Sequence, residues 1–388
     1  MTGRLVREGL VAQAVQQAGS DDFGEPTWEE GLDRLLDSLS AEAELNDLGV
    51  EIAADDVVNA LANRLSINEW RASHPEVAAA PVDRPIIIVG QPRTGTTILF
   101  DLLAQDPDLR APLTWEVDRP CPPPEPATYR SDPRIAEVQA TIDMADLVIP
   151  GFLDFHPLGA TLGQECVRMT AGDFRSMIFS TVFDVPTYNS WLLHEADMAP
   201  AYRWHRRYLQ HLQSRTDGRW LLKSPAHLWH LDALAGEYPD AVVVQTHRDP
   251  LRVIASVSAL ADHLRRMASS RTSVARAAAQ YSEDIVLGLQ RGMDARDRGV
   301  LVPDRWVDIQ YGEFLADPFG TIRRLYTRLG RDLDPSVEQA MRRFLAAHPG
   351  DGGGSRYSWA DTGLDATHWR ERVAPYQQRY GVPDEPVE

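Results

Sequence analysis

Short runs of consecutive apolar residues alternate with helical patterns along most of the chain beyond Arg84. The runs are Ile86 to Val89, Trp220 to Leu222, Ala241 to Gln245 and Trp306 to Ile309. Runs of this length, apolar at nearly every position, are typical of strands that are buried on both faces. Because helical stretches separate them, the pattern predicts an α/β fold with a central parallel sheet flanked by helices.

The first eighty residues carry a helical pattern and no strand pattern. Thr27 to Glu30 matches a capping box, and leucines at helical spacing follow it. A second amphipathic helix is predicted to run from Asp55 to Leu65. We therefore expect residues 1–80 to form an N-terminal helical extension and residues 81–388 to form a single α/β domain. The last residues, Val382 to Glu388, show no periodicity and are predicted to be a tail.

Composition and charge narrow the range of partners. The chain has 388 residues with 43% hydrophobic content, which is ample for a large core. Its 39 basic and 57 acidic residues give a net charge of −18, and this balance argues against binding to nucleic acid or to an anionic membrane. An anionic ligand must then be held by a local cluster of positive groups.

The number of cysteines and the hydropathy of the chain indicate the cellular compartment in which the protein is expected. Cys121 and Cys166 are far apart and stand in no metal-binding spacing, so we expect neither a disulfide framework nor a metal site. The start of the chain lacks the apolar core of a signal peptide, and no stretch approaches the roughly 20 apolar residues of a membrane span. We expect a soluble, cytoplasmic protein without integral membrane association; nothing in the sequence indicates its oligomeric state.

The turn after the first predicted strand has the spacing of a phosphate-binding P-loop, so the central parallel sheet is predicted to be P-loop-like. Gly90 and Gly95 are separated by four residues, and the apolar start of a helix follows. Such a turn presents backbone N–H groups and the positive end of a helix dipole to an anion. Thr96 stands where a nucleoside triphosphatase would carry Lys, and Arg93 lies inside the loop. These two departures argue against hydrolysis of ATP or GTP and favour another phosphate-bearing ligand.

The same loop and a second motif resemble those of a known family. Pro92-Arg93-Thr94-Gly95-Thr96-Thr97 is similar to the 5′-phosphosulfate loop of sulfotransferases, which use 3′-phosphoadenosine 5′-phosphosulfate (PAPS). In that family a strand-end Arg and a Ser eight residues later bind the 3′-phosphate. Arg248 ends an apolar strand here, and Ser256 lies eight residues beyond it. The resemblance implies a PAPS-dependent sulfotransferase of the bacterial type and assigns these residues to the donor.

Sulfuryl transfer requires cations and a base, and the resemblance suggests candidates for both roles. Arg93 and Lys223 are the cations best placed to offset negative charge that develops during transfer. Cytosolic sulfotransferases carry a Lys-Thr-His segment whose His is the base, but the matching segment here, from Lys223 to Pro225, ends in Pro. Tyrosylprotein sulfotransferases are more similar and use a Glu about twenty residues after the loop Arg. We therefore expect Glu116 to be the base, with His227 as the alternative.

Other family features predict the remaining contacts. Tyr311 resembles the strand-end Tyr that approaches the adenine, and Arg356 resembles the C-terminal Arg that clamps the 3′-phosphate. Phe155 and His156 lie in an aromatic-rich middle region and could line the acceptor pocket. The acceptor is expected to be a hydroxyl group of a small molecule or a lipid.

Two other functions fit parts of the sequence. A P-loop kinase-like enzyme would use ATP and Mg²⁺, although the Lys of that motif is missing. A catalytically idle nucleotide-binding protein would keep the loop without the reaction. Stabilisation by 3′,5′-ADP without magnesium would favour the sulfotransferase, and binding without turnover would favour the idle protein.

Overall fold

A computed structural model describes residues 4–148, 158–348 and 357–387 of the chain. The chain divides into two compact units. The sheet unit contains residues 83–111, 218–260 and 273–388, and the helical unit contains residues 1–82, 112–217 and 261–272. The expected boundary near residue 80 stays a prediction, since the N-terminal helices group with later helices of the chain.

The sheet unit is built on a five-stranded parallel sheet with the strand order β2-β3-β1-β4-β5. In this register Ile87 of the central strand lies beside Leu222 on one side and Val243 on the other. The predicted fold class is confirmed. The strands are β1 (Ile86–Gly90), β2 (Leu109–Arg110), β3 (Arg219–Lys223), β4 (Val242–His247) and β5 (Trp306–Gln310).

Four of these strands match the apolar runs of the sequence to within two residues at either end. The prediction missed β2, because two residues are too short to give a periodic signal. The side chains of β1 from Ile86 to Val89 are fully buried, as expected for a parallel strand covered on both faces. Leu99, Leu102 and Leu103 pack on one face of the sheet.

Helices of the sheet unit follow the strands or cover the sheet. They are α4 (Thr96–Leu103), α11 (Leu231–Glu237), α13 (Val274–Asp297), α14 (Tyr311–Ala316), α15 (Pro318–Arg328), α16 (Pro335–Ala347) and α17 (Ala366–Tyr380). Helix α12 (Pro250–Ala268) begins in this unit, and its last residues belong to the helical unit. Short 3₁₀ turns occupy Pro225–Trp229, Pro303–Arg305 and Ala360–Thr362.

The helical unit contains no strand of the sheet among its described residues. Its helices are α1 (Arg7–Ala18), α2 (Trp28–Ala41), α3 (Asp47–Ser73), α5 (Thr114–Asp118), α6 (Pro133–Val148), α7 (Cys166–Thr170), α8 (Met177–Val182), α9 (Pro186–His194) and α10 (Ala199–Leu212). Short 3₁₀ turns occupy Pro75–Ala79 and Ala171–Asp173. In the described part of the chain, none of the helices has the length and apolar character needed to cross a membrane.

Details of the N-terminal helices differ from the sequence prediction. Helix α2 does begin at Trp28, but Thr27 makes no capping bond; its hydroxyl donates to Asp173 instead, so the predicted capping box is wrong. The helix predicted to begin at Asp55 is α3, which begins eight residues earlier, at Asp47. Asn46 caps it by accepting from the N–H of Gly49 at 2.7 Å.

The C-terminal segment is packed, and its prediction as a tail is wrong for the described residues. Val382 is buried, and its N–H donates to the carbonyl oxygen of Gln377 at 3.0 Å. The prediction failed because Glu385 in this segment bonds to Arg248 and Asp249, 137 and 136 positions away, and local periodicity does not report such contacts.

Candidate functional site

The loop between β1 and α4 has a backbone that requires glycine at both ends. Gly90 has a φ of +141°, and a Cβ atom there would lie 2.4 Å from the Thr246 hydroxyl. Gly95 has a φ of +83°, and a Cβ atom there would lie 2.9 Å from the ring of Tyr311. Arg93 also has a positive φ of 65°, which is uncommon for a residue with a side chain. The two-glycine spacing therefore reflects close backbone approach as well as turn geometry.

Threonine hydroxyls fix the loop from inside. Thr94 donates to the carbonyl oxygen of Gln91 at 2.6 Å, and its hydroxyl also lies 2.6 Å from that of Thr246 on β4. Thr96 is buried and Thr97 is half-buried at the start of α4. The amides of a first helical turn have no intrahelical acceptors, so the loop leads into a group of N–H donors suited to an anion.

Three residues predicted from two separate motifs lie together in the sheet unit. The Nε of Arg93 donates to the hydroxyl of Ser256 at 3.1 Å. The Nη1 of Arg248 donates to the carbonyl oxygen of Arg93 at 3.0 Å. Pro92, the residue before Arg93, is half-buried. The parallel sheet produces the meeting, because the carboxyl ends of neighbouring strands β1 and β4 lie at the same edge.

Arg248 makes the strongest charged contact of this group. Its Nε and Nη2 each donate to one carboxylate oxygen of Glu385, both at 2.9 Å. Its guanidinium lies 4.2 Å from the centre of the Tyr311 ring. Burial lowers the pKa of Arg248, but the hydrogen bonds to Glu385 and the nearby Tyr311 outweigh it, so the pKa is raised overall. Arg248 is thus a charged, two-pronged anion site on the edge of the sheet.

Lys223 is buried at the end of β3 and is not a surface residue. Only 1% of it is exposed, its Nζ donates to the Thr97 hydroxyl at 3.3 Å, and the Phe100 ring lies 5.6 Å away. Asp101, on the same helix as Thr97, is also buried. Burial raises the pKa of Asp101 to about 6, although the positive charge of Lys223 acts in the opposite direction.

Glu116 belongs to the helical unit and is fully buried. One of its carboxylate oxygens accepts from the N–H of Leu113 at 2.9 Å and from the Tyr129 hydroxyl at 3.1 Å. The first of these bonds satisfies the backbone at the start of α5, where Glu116 is the third helical residue. The neighbouring Trp115 packs edge-on against Tyr129. Glu116 is therefore a buried carboxylate with hydrogen-bond partners and not a surface charge.

Comparisons with known proteins give this geometry its context. A sequence model of the sulfotransferase family matches residues 85–335. The chain belongs to the sulfotransferase family. Among solved structures, sulfotransferase STF1 from Mycobacterium tuberculosis H37Rv is 33% identical with a TM-score of 0.85, covering 95% of this chain and 98% of that one. Sulfotransferase STF9 from Mycobacterium avium is 29% identical with a TM-score of 0.88, covering 97% of each chain.

A curated relative with a named activity is more distant. Omega-hydroxy-beta-dihydromenaquinone-9 sulfotransferase Stf3 from Mycobacterium bovis is 26% identical over 280 residues, which are 69% of this chain and 68% of the relative. The protein is therefore a sulfotransferase with bacterial relatives, as the two motifs predicted. The kinase-like alternative is wrong, because the family and both solved structures are sulfotransferases.

Several predicted residues of this sulfotransferase lie outside the described residues. They are Phe155 and His156, proposed for the acceptor, and Arg356, proposed for the 3′-phosphate. The alternative base, His227, is buried in the 3₁₀ turn after β3. Within the described ranges, no group of three or more His, Cys, Asp or Glu side chains could hold a metal ion.

Sequence reasoning missed three residues around the sulfotransferase motifs. Arg252 lies four residues after Arg248 in the first turn of α12, and this closeness in the sequence is a signal for a second cation near Arg248. Asp101 lies on the predicted helix after the loop, but its burial carries no sequence signal. Glu385 binds Arg248 from 137 residues away, and nothing local in the sequence points to it.

Proposed function

We propose that this sulfotransferase takes the sulfuryl group from PAPS and transfers it to a hydroxyl group of an apolar, lipid-like acceptor, releasing 3′,5′-ADP. One observation carries the choice of donor: Arg248 holds a carboxylate with two hydrogen bonds, and Arg93 and Ser256 are hydrogen-bonded beside it. A guanidinium that accommodates two carboxylate oxygens suits two phosphate oxygens equally well. The chemistry of the residues thus fits a nucleotide with a 3′-phosphate.

Each part of the donor has candidate partners in the chain. The loop from Pro92 to Thr97 would hold the 5′-phosphosulfate, with backbone amides and the hydroxyls of its threonines as donors. Arg248 and Ser256 would hold the 3′-phosphate, and Arg356 is proposed to join them. Tyr311, whose ring lies under Arg248, would contact the adenine. When bound, PAPS supplies an activated sulfuryl group and a phosphate leaving group.

The proposed roles in transfer follow from charge and burial. Glu116 would accept the proton of the acceptor hydroxyl, since a carboxylate with a hydroxyl partner already at 3.1 Å can also bind an acceptor hydroxyl. Arg93 and Lys223 would offset negative charge that develops on oxygen. Because Lys223 is almost completely buried, its charge is screened little by water and acts strongly on nearby oxygens.

The acceptor class is proposed from the curated relative. The name of Stf3 describes a menaquinone-derived molecule that carries a hydroxyl group at the end of its side chain. We propose that this protein likewise acts on a hydroxyl group attached to a long apolar molecule, with Phe155 and His156 near the acceptor. A cytoplasmic location stays a prediction from cysteine usage.

The test combines binding and turnover. Calorimetry should show binding of 3′,5′-ADP in the absence of magnesium and much weaker binding of ATP with magnesium. Radiolabelled PAPS should then transfer sulfate to ω-hydroxylated isoprenoid quinones in detergent faster than to short water-soluble phenols. Tight binding of 3′,5′-ADP without transfer to any acceptor of either class would instead favour a catalytically idle protein.

A further inference from the structure

The C-terminal segment places a carboxylate directly on the arginine that is expected to bind the nucleotide. Glu385 accepts two hydrogen bonds from Arg248, both at 2.9 Å, in the geometry that a phosphate would adopt. A second guanidinium is close. The Nε of Arg252 lies 3.9 Å from Oε2 of Glu385, the oxygen that accepts from Nη2 of Arg248. Glu385 therefore lies on two arginines, one between β4 and α12 and the other at the start of α12.

Arg252 has spare capacity for an anion. Its Nη1 donates to the carbonyl oxygen of Pro386 at 3.1 Å. Its Nε is buried and, within the part of the chain that the structure describes, makes no hydrogen bond. A buried donor of this kind is costly to leave unsatisfied. A carboxylate has only two oxygens and both face Arg248, whereas a phosphate has a third oxygen that could accept from Arg252.

Further bonds hold the segment in this position. The N–H of Glu385 donates to a carboxylate oxygen of Asp249 at 2.7 Å. The neighbouring Asp384 pairs with Arg370 at 3.0 Å and accepts from the side-chain amide of Gln377 at 2.8 Å. The segment is thus docked by specific polar contacts at consecutive residues.

The charges of this cluster balance. Three guanidinium groups meet three carboxylates, so the cluster has no excess positive charge while Glu385 is in place. A phosphate monoester placed beside Glu385 would be repelled by it, and both would compete for the same two N–H groups of Arg248. The groups concerned are Arg248, Arg252, Arg370, Asp249, Asp384 and Glu385.

We propose that Arg252 joins Arg248 and Ser256 in the site for the 3′-phosphate of the nucleotide, and that Glu385 is an internal competitor for this site. The nucleotide then binds only when the C-terminal segment leaves Arg248, and its apparent affinity is reduced by the fraction of molecules in which the segment is docked. The inference rests on the proposed function, because it takes the 3′-phosphate of PAPS as the ligand.

The first experiment measures the competition directly. Calorimetry compares 3′,5′-ADP with adenosine 5′-phosphate, which lacks the 3′-phosphate, for the wild type and for Glu385→Gln. We expect Glu385→Gln to bind 3′,5′-ADP roughly 5- to 30-fold more tightly and adenosine 5′-phosphate with unchanged affinity. The matched control is Glu371→Gln, which removes the same charge from an exposed position on α17 and should change neither affinity.

A second variant isolates Arg252. In the Glu385→Gln background, where the competitor is already weakened, Arg252→Gln should weaken binding of 3′,5′-ADP by about tenfold and leave adenosine 5′-phosphate unaffected. A readout that does not depend on affinity is amide hydrogen exchange. The Glu385 amide, which is bonded to Asp249, should exchange faster when 3′,5′-ADP binds to the wild type.

The outcomes separate the inference from the proposed function. If the wild type binds 3′,5′-ADP and Glu385→Gln binds it no more tightly, the competition is excluded while the donor assignment stands. If Glu385→Gln tightens both nucleotides equally, the carboxylate does not occupy the 3′-phosphate site. If neither protein binds 3′,5′-ADP, the proposed donor is wrong and the inference fails with it.

Discussion

The phosphate-binding loop and the segment around Glu116 differ in the kind of partners that their polar groups have. Arg93 contacts Ser256 and Arg248, which the motifs assign to the donor, and Thr97 contacts Lys223, which is proposed to offset charge during transfer. Glu116 instead bonds to a backbone N–H and to Tyr129, which no motif assigns to the reaction.

The difference shows how strongly each assignment is supported. Several donor residues support one another, because two distant motifs converge on the same contacts. The carboxylate of Glu116 also caps the start of α5 by accepting from a backbone N–H. This structural role is a sufficient reason for its burial. Variants that separate the capping of α5 by Glu116 from its proposed role as the base are therefore the most informative.

The largest effect is expected for Glu116→Gln. Gln keeps an oxygen that can accept from Leu113 and Tyr129 but cannot take a proton, so turnover should fall by roughly 10²- to 10⁴-fold. Affinity for 3′,5′-ADP and the melting temperature should change little. Steady-state kinetics with Tyr129→Phe as the control, which removes the hydroxyl that donates to Glu116, should show a much smaller loss. An active Glu116→Gln enzyme together with an inactive His227→Ala enzyme would move the role of base to His227.

The next effect concerns Arg93 and tests the donor side of the comparison. Arg93→Ala should lower turnover by roughly 10²- to 10³-fold, because its charge matters most when negative charge develops. Binding of 3′,5′-ADP should weaken far less, and Arg93→Lys should restore part of the activity. Single-turnover kinetics would measure both, with Arg324→Ala as an exposed arginine control in the same unit. Near wild-type turnover of Arg93→Ala would make Arg93 a structural residue of the loop.

A smaller effect is expected for Arg248→Ala, and it concerns the affinity for the nucleotide. The wild type should prefer 3′,5′-ADP to adenosine 5′-phosphosulfate, and the variant should lose this preference. Charge-assisted hydrogen bonds contribute about 1.5–3 kcal/mol each, which corresponds to roughly 10- to 150-fold in affinity. Calorimetry with both nucleotides measures the ratio, and equal wild-type affinity for the two would contradict the assignment of the 3′-phosphate.

The smallest effect on turnover is expected for Asp101→Asn. This variant should instead change the free energy of unfolding. The pKa of Asp101 is raised from 3.8 to about 6, so between these pH values the folded state keeps a proton that the unfolded state has lost. The free energy of unfolding therefore falls as the pH rises through this window and stays lower above it. Asp101→Asn removes this penalty and should be more stable than the wild type at pH 8, by at most about 3 kcal/mol.

Urea unfolding between pH 4.5 and pH 8 measures this effect. The advantage of Asp101→Asn should shrink as the pH is lowered, because the wild-type carboxyl becomes protonated in the folded state below about pH 6 and its buried charge is removed. The exposed Asp304→Asn serves as the control and should show no such trend. A constant difference at every pH would mean that packing, and not the charge of Asp101, separates the two proteins.

The amino-acid sequence by itself determined the sheet and the donor motifs. Apolar runs marked four of the strands, and the loop from Pro92 to Thr97, together with Arg248 and Ser256, identified the family. These features are readable because they depend on short-range periodicity and on spacing within a strand, a turn and a helix. The parallel order of the strands then brings their carboxyl ends, and the motifs on them, to one edge.

Only the tertiary structure decided which of these groups are buried and what they contact. The burial of Lys223 and Glu116, the start of α3 at Asp47 and the docking of Glu385 on Arg248 have no local signature. Burial depends on which elements pack together, and the Glu385 contact joins residues 137 positions apart. Such long-range pairings arise only when the chain is folded, because the free energy that selects them comes from the assembled core and its neighbouring charges.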